Sequence, residues 1–112
     1  MNIQIFGKKK CFDTKKAERY FKERKIKYAF IDMNEKGISK GELNSVKNSI
    51  SLNELINEKS KDYKSSNIDK IRSSDMKIEI LLKNQSLIKT PIVRNGKDAT
   101  VGYKPEIWKE WE

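Results

Sequence analysis

Ile5-Phe6-Gly7-Lys8-Lys9-Lys10-Cys11-Phe12-Asp13-Thr14-Lys15-Lys16-Ala17 is the stretch on which the reading of this chain turns. It begins inside a short run, residues 2–6, with Ile3 and Ile5 on one face and Phe6 near the end, which reads as a strand. Gly7 and three lysines break that pattern. From Thr14 to Arg24 the period becomes helical, with Ala17, Tyr20 and Phe21 at i, i+3 and i+4. Asp13 and Thr14 suit the start of that helix, as side-chain caps and at the favourable end of its dipole. Cys11 therefore falls at a strand-to-helix turn.

Working outward, Lys27–Asp32 reads as a second strand carrying Tyr28, Phe30 and Ile31. Strand, helix and strand make a βαβ unit, which predicts a parallel pair joined by a right-handed crossover. Ser39-Lys40-Gly41-Glu42 has capping-box spacing ahead of Leu43, Val46 and Ile50, and Ser51-Leu52-Asn53-Glu54 repeats it before Leu55 and Ile56. Residues 57–70 are rich in Lys, Ser, Asn and Asp and read as a weakly packed helix or a loop. Residues 76–82 fit a strand by alternation and a helix by the spacing of Ile78 and Leu82, and periodicity does not choose between them. Further on, Pro91-Ile92-Val93-Arg94, Asn95-Gly96 and Ala99-Thr100-Val101 form a hairpin signal. Pro105 opens a last helix with Ile107, Trp108 and Trp111 on one side. The expectation is one α/β domain over residues 1–112, with a helical insertion at about 38–86.

Composition narrows the chemistry. In 112 residues, 37% are charged and 36% hydrophobic, enough for a single compact core. No run approaches the roughly 18 apolar residues of a membrane helix. Met1–Phe6 lacks the basic start and long apolar stretch of a secretory leader, so none is expected. The net charge is +9, and residues 1–28 carry ten lysines and arginines against three acids. Such a run most often marks a solvated face, but it also suits an anionic partner. With no histidine and one cysteine, Ser-His and Cys-His triads and ordinary zinc sites are excluded. The five glycines are scattered, so there is no phosphate loop. Thiolate chemistry at Cys11 remains, beside carboxylate chemistry or none. A single cysteine makes no internal disulfide and fits a reducing compartment.

The ordered set of motifs resembles the arsenate-reductase (ArsC) family over nearly the whole chain. The opening stretch resembles its first strand, cysteine and Lys-Lys-Ala helix start, and Lys27–Asp32 its second strand. Gly37-Ile38-Ser39-Lys40-Gly41-Glu42-Leu43 resembles the element that opens its inserted helices. Leu87-Ile88-Lys89-Thr90-Pro91-Ile92-Val93 resembles its Pro-strand approach, and Asn95-Gly96-Lys97 with Val101-Gly102-Tyr103 its closing hairpin. The resemblance implies a thioredoxin-like fold (βαβ, helical insertion, ββα) with a mixed four-stranded sheet. It also implies a helix at 73–84, a cis Thr90–Pro91 bond, and a bacterial, cytoplasmic protein.

For function, the resemblance implies a glutaredoxin-like thiol oxidoreductase with Cys11 as its reactive centre. A cysteine beside a helix N-terminus and lysines is set up to ionise readily, whereas many free cysteines are buried and inert. Lys8, Lys10 and Lys15 are candidate supporting cations, and Thr90, Pro91 and Arg94 candidate substrate-side residues. Thr14 stands where a Cys-x-x-Cys centre carries its second thiol. It either donates to the thiolate or caps the helix, and capping is the favoured reading. A lone thiol needs an external partner, glutathione or a protein thiol or disulfide, and no bound cofactor is expected. The family's oxyanion-binding arginine before the Pro is replaced by Thr90, and Asn57 and Glu58 stand where another would lie, between Leu55 and Lys59. Efficient arsenate reduction is therefore not expected. The alternative is a regulator like the Spx branch, which binds RNA polymerase or another protein without catalysis. No recognition helix or stacking motif supports direct nucleic-acid binding.

Overall fold

The computed structural model describes all 112 residues. A four-stranded sheet runs in the order β2-β1-β3-β4, with β1 Ile3–Gly7, β2 Tyr28–Asp32, β3 Ile92–Asn95 and β4 Asp98–Val101. β1 pairs parallel with β2 (Ile5 opposite Phe30) and antiparallel with β3 (Ile5 opposite Val93), and β3 pairs antiparallel with β4. The mixed thioredoxin-like sheet expected from the sequence is present.

The alternation of β1 and β3 sorts the core into two layers. Ile3, Ile5 and Val93 face helix α1 (Phe12–Glu23) and the last helix, α6 (Pro105–Trp111), where they pack with Ala17, Tyr20, Phe21 and Trp108. The Trp108 ring lies 5.2 Å from both Tyr20 and Phe21, and its Nε1 donates to Thr100 Oγ1 at 2.8 Å, so its one polar atom is satisfied. Ile107, grouped with the tryptophans by sequence spacing, instead faces solvent. On the opposite face Phe6 and Ile92 meet the helices inserted between β2 and β3. These are α2 (Lys40–Lys47), α3 (Leu52–Leu55), α4 (Asp62–Ser66) and α5 (Ser74–Lys83).

Helix ends follow the residues. Ser39 and Glu42 form the full capping box at α2, with bonds of 3.2 and 2.9 Å. At Ser51 only half of the box forms: its hydroxyl accepts from Glu54 N–H at 3.4 Å, and α3 lasts a single turn. Residues 76–82 are helical within α5, as the family resemblance implies. The hairpin closes through Gly96 and Lys97, with Gly96 at φ +60° in the conformation such a two-residue loop asks of its first position.

Two short connections place the future site. Asn57 N–H donates to Leu87 O at 2.6 Å and Lys89 N–H to Leu55 O at 2.8 Å, so residues 55–57 run beside 87–89. The Thr90–Pro91 peptide bond that follows is cis. No helix is long and apolar enough to cross a membrane.

The turn after β1 is where space is tightest. Gly7 is buried against Thr14, whose Oγ1 would lie 2.6 Å from a Cβ at that position, whereas a Cβ at Gly41 meets nothing. Gly7→Ala is expected to destabilise the protein by about 1–3 kcal/mol through overpacking. Gly41→Ala is expected to be neutral or to stabilise by up to about 1 kcal/mol. Paired urea unfolding curves check both; equal stabilities for the two variants would contradict this packing.

Candidate active site

Cys11 occupies the N-cap position of α1, with extended backbone (φ −81°, ψ 123°), and is partly exposed. The helix thus starts two residues earlier than its apolar period indicates. That moves Thr14 off the cap and into the first turn, a correction to the capping reading. Thr14 is fully buried, and its Oγ1 accepts from Lys8 N–H at 3.4 Å, pinning the loop between strand and helix.

Across the sheet, Thr90 closes the site. Its Oγ1 donates to Cys11 Sγ at 3.3 Å, and the thiol lies 3.7 Å from Thr90 O. Burial pushes the Cys11 thiol up, but the hydroxyls of Thr14 and Thr90 and the backbone N–H groups of Thr14 and Asp13 outweigh it. The net result is a thiol held below its usual value of 9.0. The groups that favour the thiolate are hydroxyls and the amides of the helix N-terminus; the amides are expected from the sequence, and the lysine ammonium groups expected beside them are not among the causes.

Two cavities flank the sulfur. One, of about 590 Å³, is lined by Lys8, Lys9, Lys10, Cys11, Asp32 and Asn34. Lys9 lies 4.0 Å from Asp32, a long pair between an exposed ammonium and a half-buried carboxylate. The other, of about 750 Å³, lies between the β1–α1 turn, the 55–57 connection and the Pro91 loop. Its wall mixes Lys59, Lys89 and Lys104 with Asp13, Glu54 and Glu58, beside Asn57 and Thr90. Pro91 is buried behind that wall.

Lys8, Lys10, Thr14, Thr90 and Pro91 therefore gather around Cys11. Lys15 lines neither cavity and sits with Glu18, Arg19 and Lys22 on the outer face of α1. Arg94 is elsewhere altogether: it donates to Gln4 Oε1 at 2.9 Å and Ser45 Oγ at 3.3 Å, and lies 3.9 Å from Glu42. One register step along β3 sends its side chain to the inserted helices, where it ties the sheet to α2. Lys59, Lys89 and Lys104 escaped the sequence reading because three separate segments bring them together. Only the segment 55–59 carried a signal, through the family arginine expected there.

Residues 6–111 match the sequence model of the ArsC family. The chain belongs to the ArsC family. It is 28% identical to the Bacillus subtilis (strain 168) protein YusI over 98% of both chains. Among solved structures it is similar to a Staphylococcus aureus COL protein, at 26% identity, TM-score 0.81 and 96% coverage of both chains. It is also similar to the arsenate reductase from Vibrio cholerae, at 23% identity and TM-score 0.87 over 98% of this chain and 97% of that one. The last likeness is one of fold. Within this ArsC-family fold the residue before the cis-proline is Thr90, and neither cavity beside Cys11 contains an arginine.

Replacing Thr90 by Val removes the hydroxyl that bonds the sulfur and keeps the side-chain shape. Thr90→Val is expected to move the pH midpoint of iodoacetamide alkylation of Cys11 upward, with Cys11→Ser as the blank. Arg94→Lys is expected to leave that midpoint in place and to lower stability by about 1–3 kcal/mol. An unchanged midpoint in Thr90→Val would contradict the assigned role of its hydroxyl.

Proposed function

We propose that this ArsC-family protein is a thiol–disulfide oxidoreductase acting through one sulfur, Cys11, with an external thiol completing turnover. The observation that carries this reading is the Thr90 hydroxyl donating to Cys11 Sγ at 3.3 Å, with the thiol lowered. A thiolate is the attacking species in exchange, and a lowered thiol supplies more of it at neutral pH. Cys11 Sγ bonds to one sulfur of a disulfide as that disulfide breaks, and the other sulfur departs as a thiolate. Thr14 occupies the place of a resolving cysteine, so a second thiol must release the mixed disulfide.

Glutathione suits that role. The larger cavity offers three ammonium groups for its carboxylates and three carboxylates for its ammonium group, around the sulfur it would meet. Efficient arsenate reduction is not part of the proposal, because the cavity walls carry lysines in place of the planar, bidentate arginine fork that suits an oxyanion. An Spx-like regulator that binds RNA polymerase without catalysis has no use for an activated thiol, so the hydroxyl pair at Cys11 favours exchange. A cytoplasmic location, with its reduced glutathione pool, fits the same chemistry.

Incubation with oxidised glutathione is expected to give a protein–glutathione adduct by mass spectrometry, absent from Cys11→Ser and reversed by reduced glutathione. Glutathione-coupled reduction of hydroxyethyl disulfide is expected in wild type and lost in Cys11→Ser. A native protein that neither forms the adduct nor turns over would overturn the proposal in favour of the regulatory reading.

A further inference from the structure

The outer face of α1 carries an arrangement that the chemistry at Sγ does not use. Phe12, next to Cys11, is 81% exposed, whereas Phe6 and Phe21 are fully buried. That ring supplies an apolar contact next to the sulfur, and the cations around it give the contact a polar rim. Helical spacing places Lys15 and Lys16 on the side of Phe12, and Arg19 one turn further along. Lys16 Nζ stands 5.6 Å from the ring centre of Tyr103, itself 41% exposed. Beyond it a hollow of about 400 Å³ opens between α1 and residues 103–105, bordered by Lys16, Arg19 and Arg24 with Glu23 as its one acid. Arg24 is held in place there, 3.8 Å above the Tyr20 ring and 3.5 Å from Glu112.

Resting on the exchange chemistry of Cys11, we propose that this face docks an acidic segment of a protein partner whose own disulfide is presented to Cys11. Phe12 packs against that segment beside the reacting sulfurs, and Lys15, Lys16 and Arg19 meet its carboxylates. Charge complementarity sets the partner's sign, since the hollows on the outer face of α1 are lined by five cations (Lys15, Lys16, Arg19, Lys22 and Arg24) against two acids, Glu18 and Glu23. A nucleic acid would satisfy the same cations but brings no sulfur to Cys11, which argues for a protein. In the exchange, Cys11 Sγ bonds to one sulfur of the partner's disulfide as its S–S bond breaks. The other partner sulfur leaves as a thiolate and takes a proton from water, so no outside oxidant or reductant enters the step.

Three short peptides test this, each with one cysteine capped by thionitrobenzoate and flanked by acidic, neutral or basic residues. Release of thionitrobenzoate by wild type, followed by stopped flow, is expected to be on the order of tenfold faster for the acidic than the basic peptide at low salt. High salt is expected to erase most of that difference. Phe12→Ser is expected to lower the acidic-peptide rate, relative to that for hydroxyethyl disulfide, by about fivefold. The double variant Lys16→Gln/Arg19→Gln is expected to remove the charge preference. Equal rates for the three peptides, or an unchanged ratio in Phe12→Ser, would overturn the docking face. A fluorescent single-stranded oligonucleotide that displaces the acidic peptide and depends on Phe12 would also overturn it, assigning the face to nucleic acid. Wild type inert toward hydroxyethyl disulfide as well would instead overturn the exchange chemistry beneath it.

Discussion

The double pairing of β1 is the constraint from which the site follows. This strand is bonded to β2 on one side and to β3 on the other, and Ile5 and Phe6 are fully buried on opposite faces of the sheet. A one-residue slip would turn both core layers inside out, so the register is strongly held. Because β3 runs antiparallel to β1, its beginning lies beside the end of β1. Cys11 follows the end of β1 and Thr90 precedes the start of β3. The sheet thereby brings together two groups 79 residues apart, and the Thr90 hydroxyl reaches the sulfur at 3.3 Å.

The turn that carries Cys11 depends on Gly7 and Thr14 together. Thr14 fills the space where a Cβ at position 7 would sit, and its hydroxyl bonds the next backbone N–H at Lys8. The same hydroxyl helps hold the Cys11 thiol low. One threonine thus links the folding of the turn to the reactivity of the sulfur. Arg94 works on the other side of the sheet, where its bonds to Gln4 and Ser45 fasten the strands to α2.

Much of this architecture was legible because it is local. The strand, turn and helix around Cys11 are written in a change of apolar period, and the capping box at Ser39 in four consecutive residues. Features decided by tertiary packing were not. The helix begins at Phe12, an exposed residue that no apolar period could include, and this shifted Thr14 from cap to interior. Residues 76–82 satisfied two periods at once, and only the family resemblance resolved them as helix. Arg94 was a candidate substrate-side residue from its place after Pro91, but strand alternation turns it to the face of the inserted helices, against Ser45 and Glu42. The larger cavity joins residues from the first helix, the 54–59 segment, the Pro91 approach and the chain after β4. Separations that long leave no pattern in a single sequence.

The reactive character of the site rests on short-range dipoles at the sulfur more than on the strongly basic surface around it. Hydroxyls and amides that touch a thiolate persist at high salt, whereas the pull of exposed lysines is screened. Since the thiol is lower in the folded chain than in the unfolded one, the unfolded chain binds more protons between the two values. Stability therefore rises with pH through that window and is lost as pH falls through the folded value. The most direct measurement is the ultraviolet titration of the Cys11 thiolate in native protein and in protein unfolded by urea, at low and high salt. The account predicts a native midpoint below the unfolded one at both salt concentrations. A native midpoint equal to or above the unfolded one, or a difference that vanishes in high salt, would contradict it.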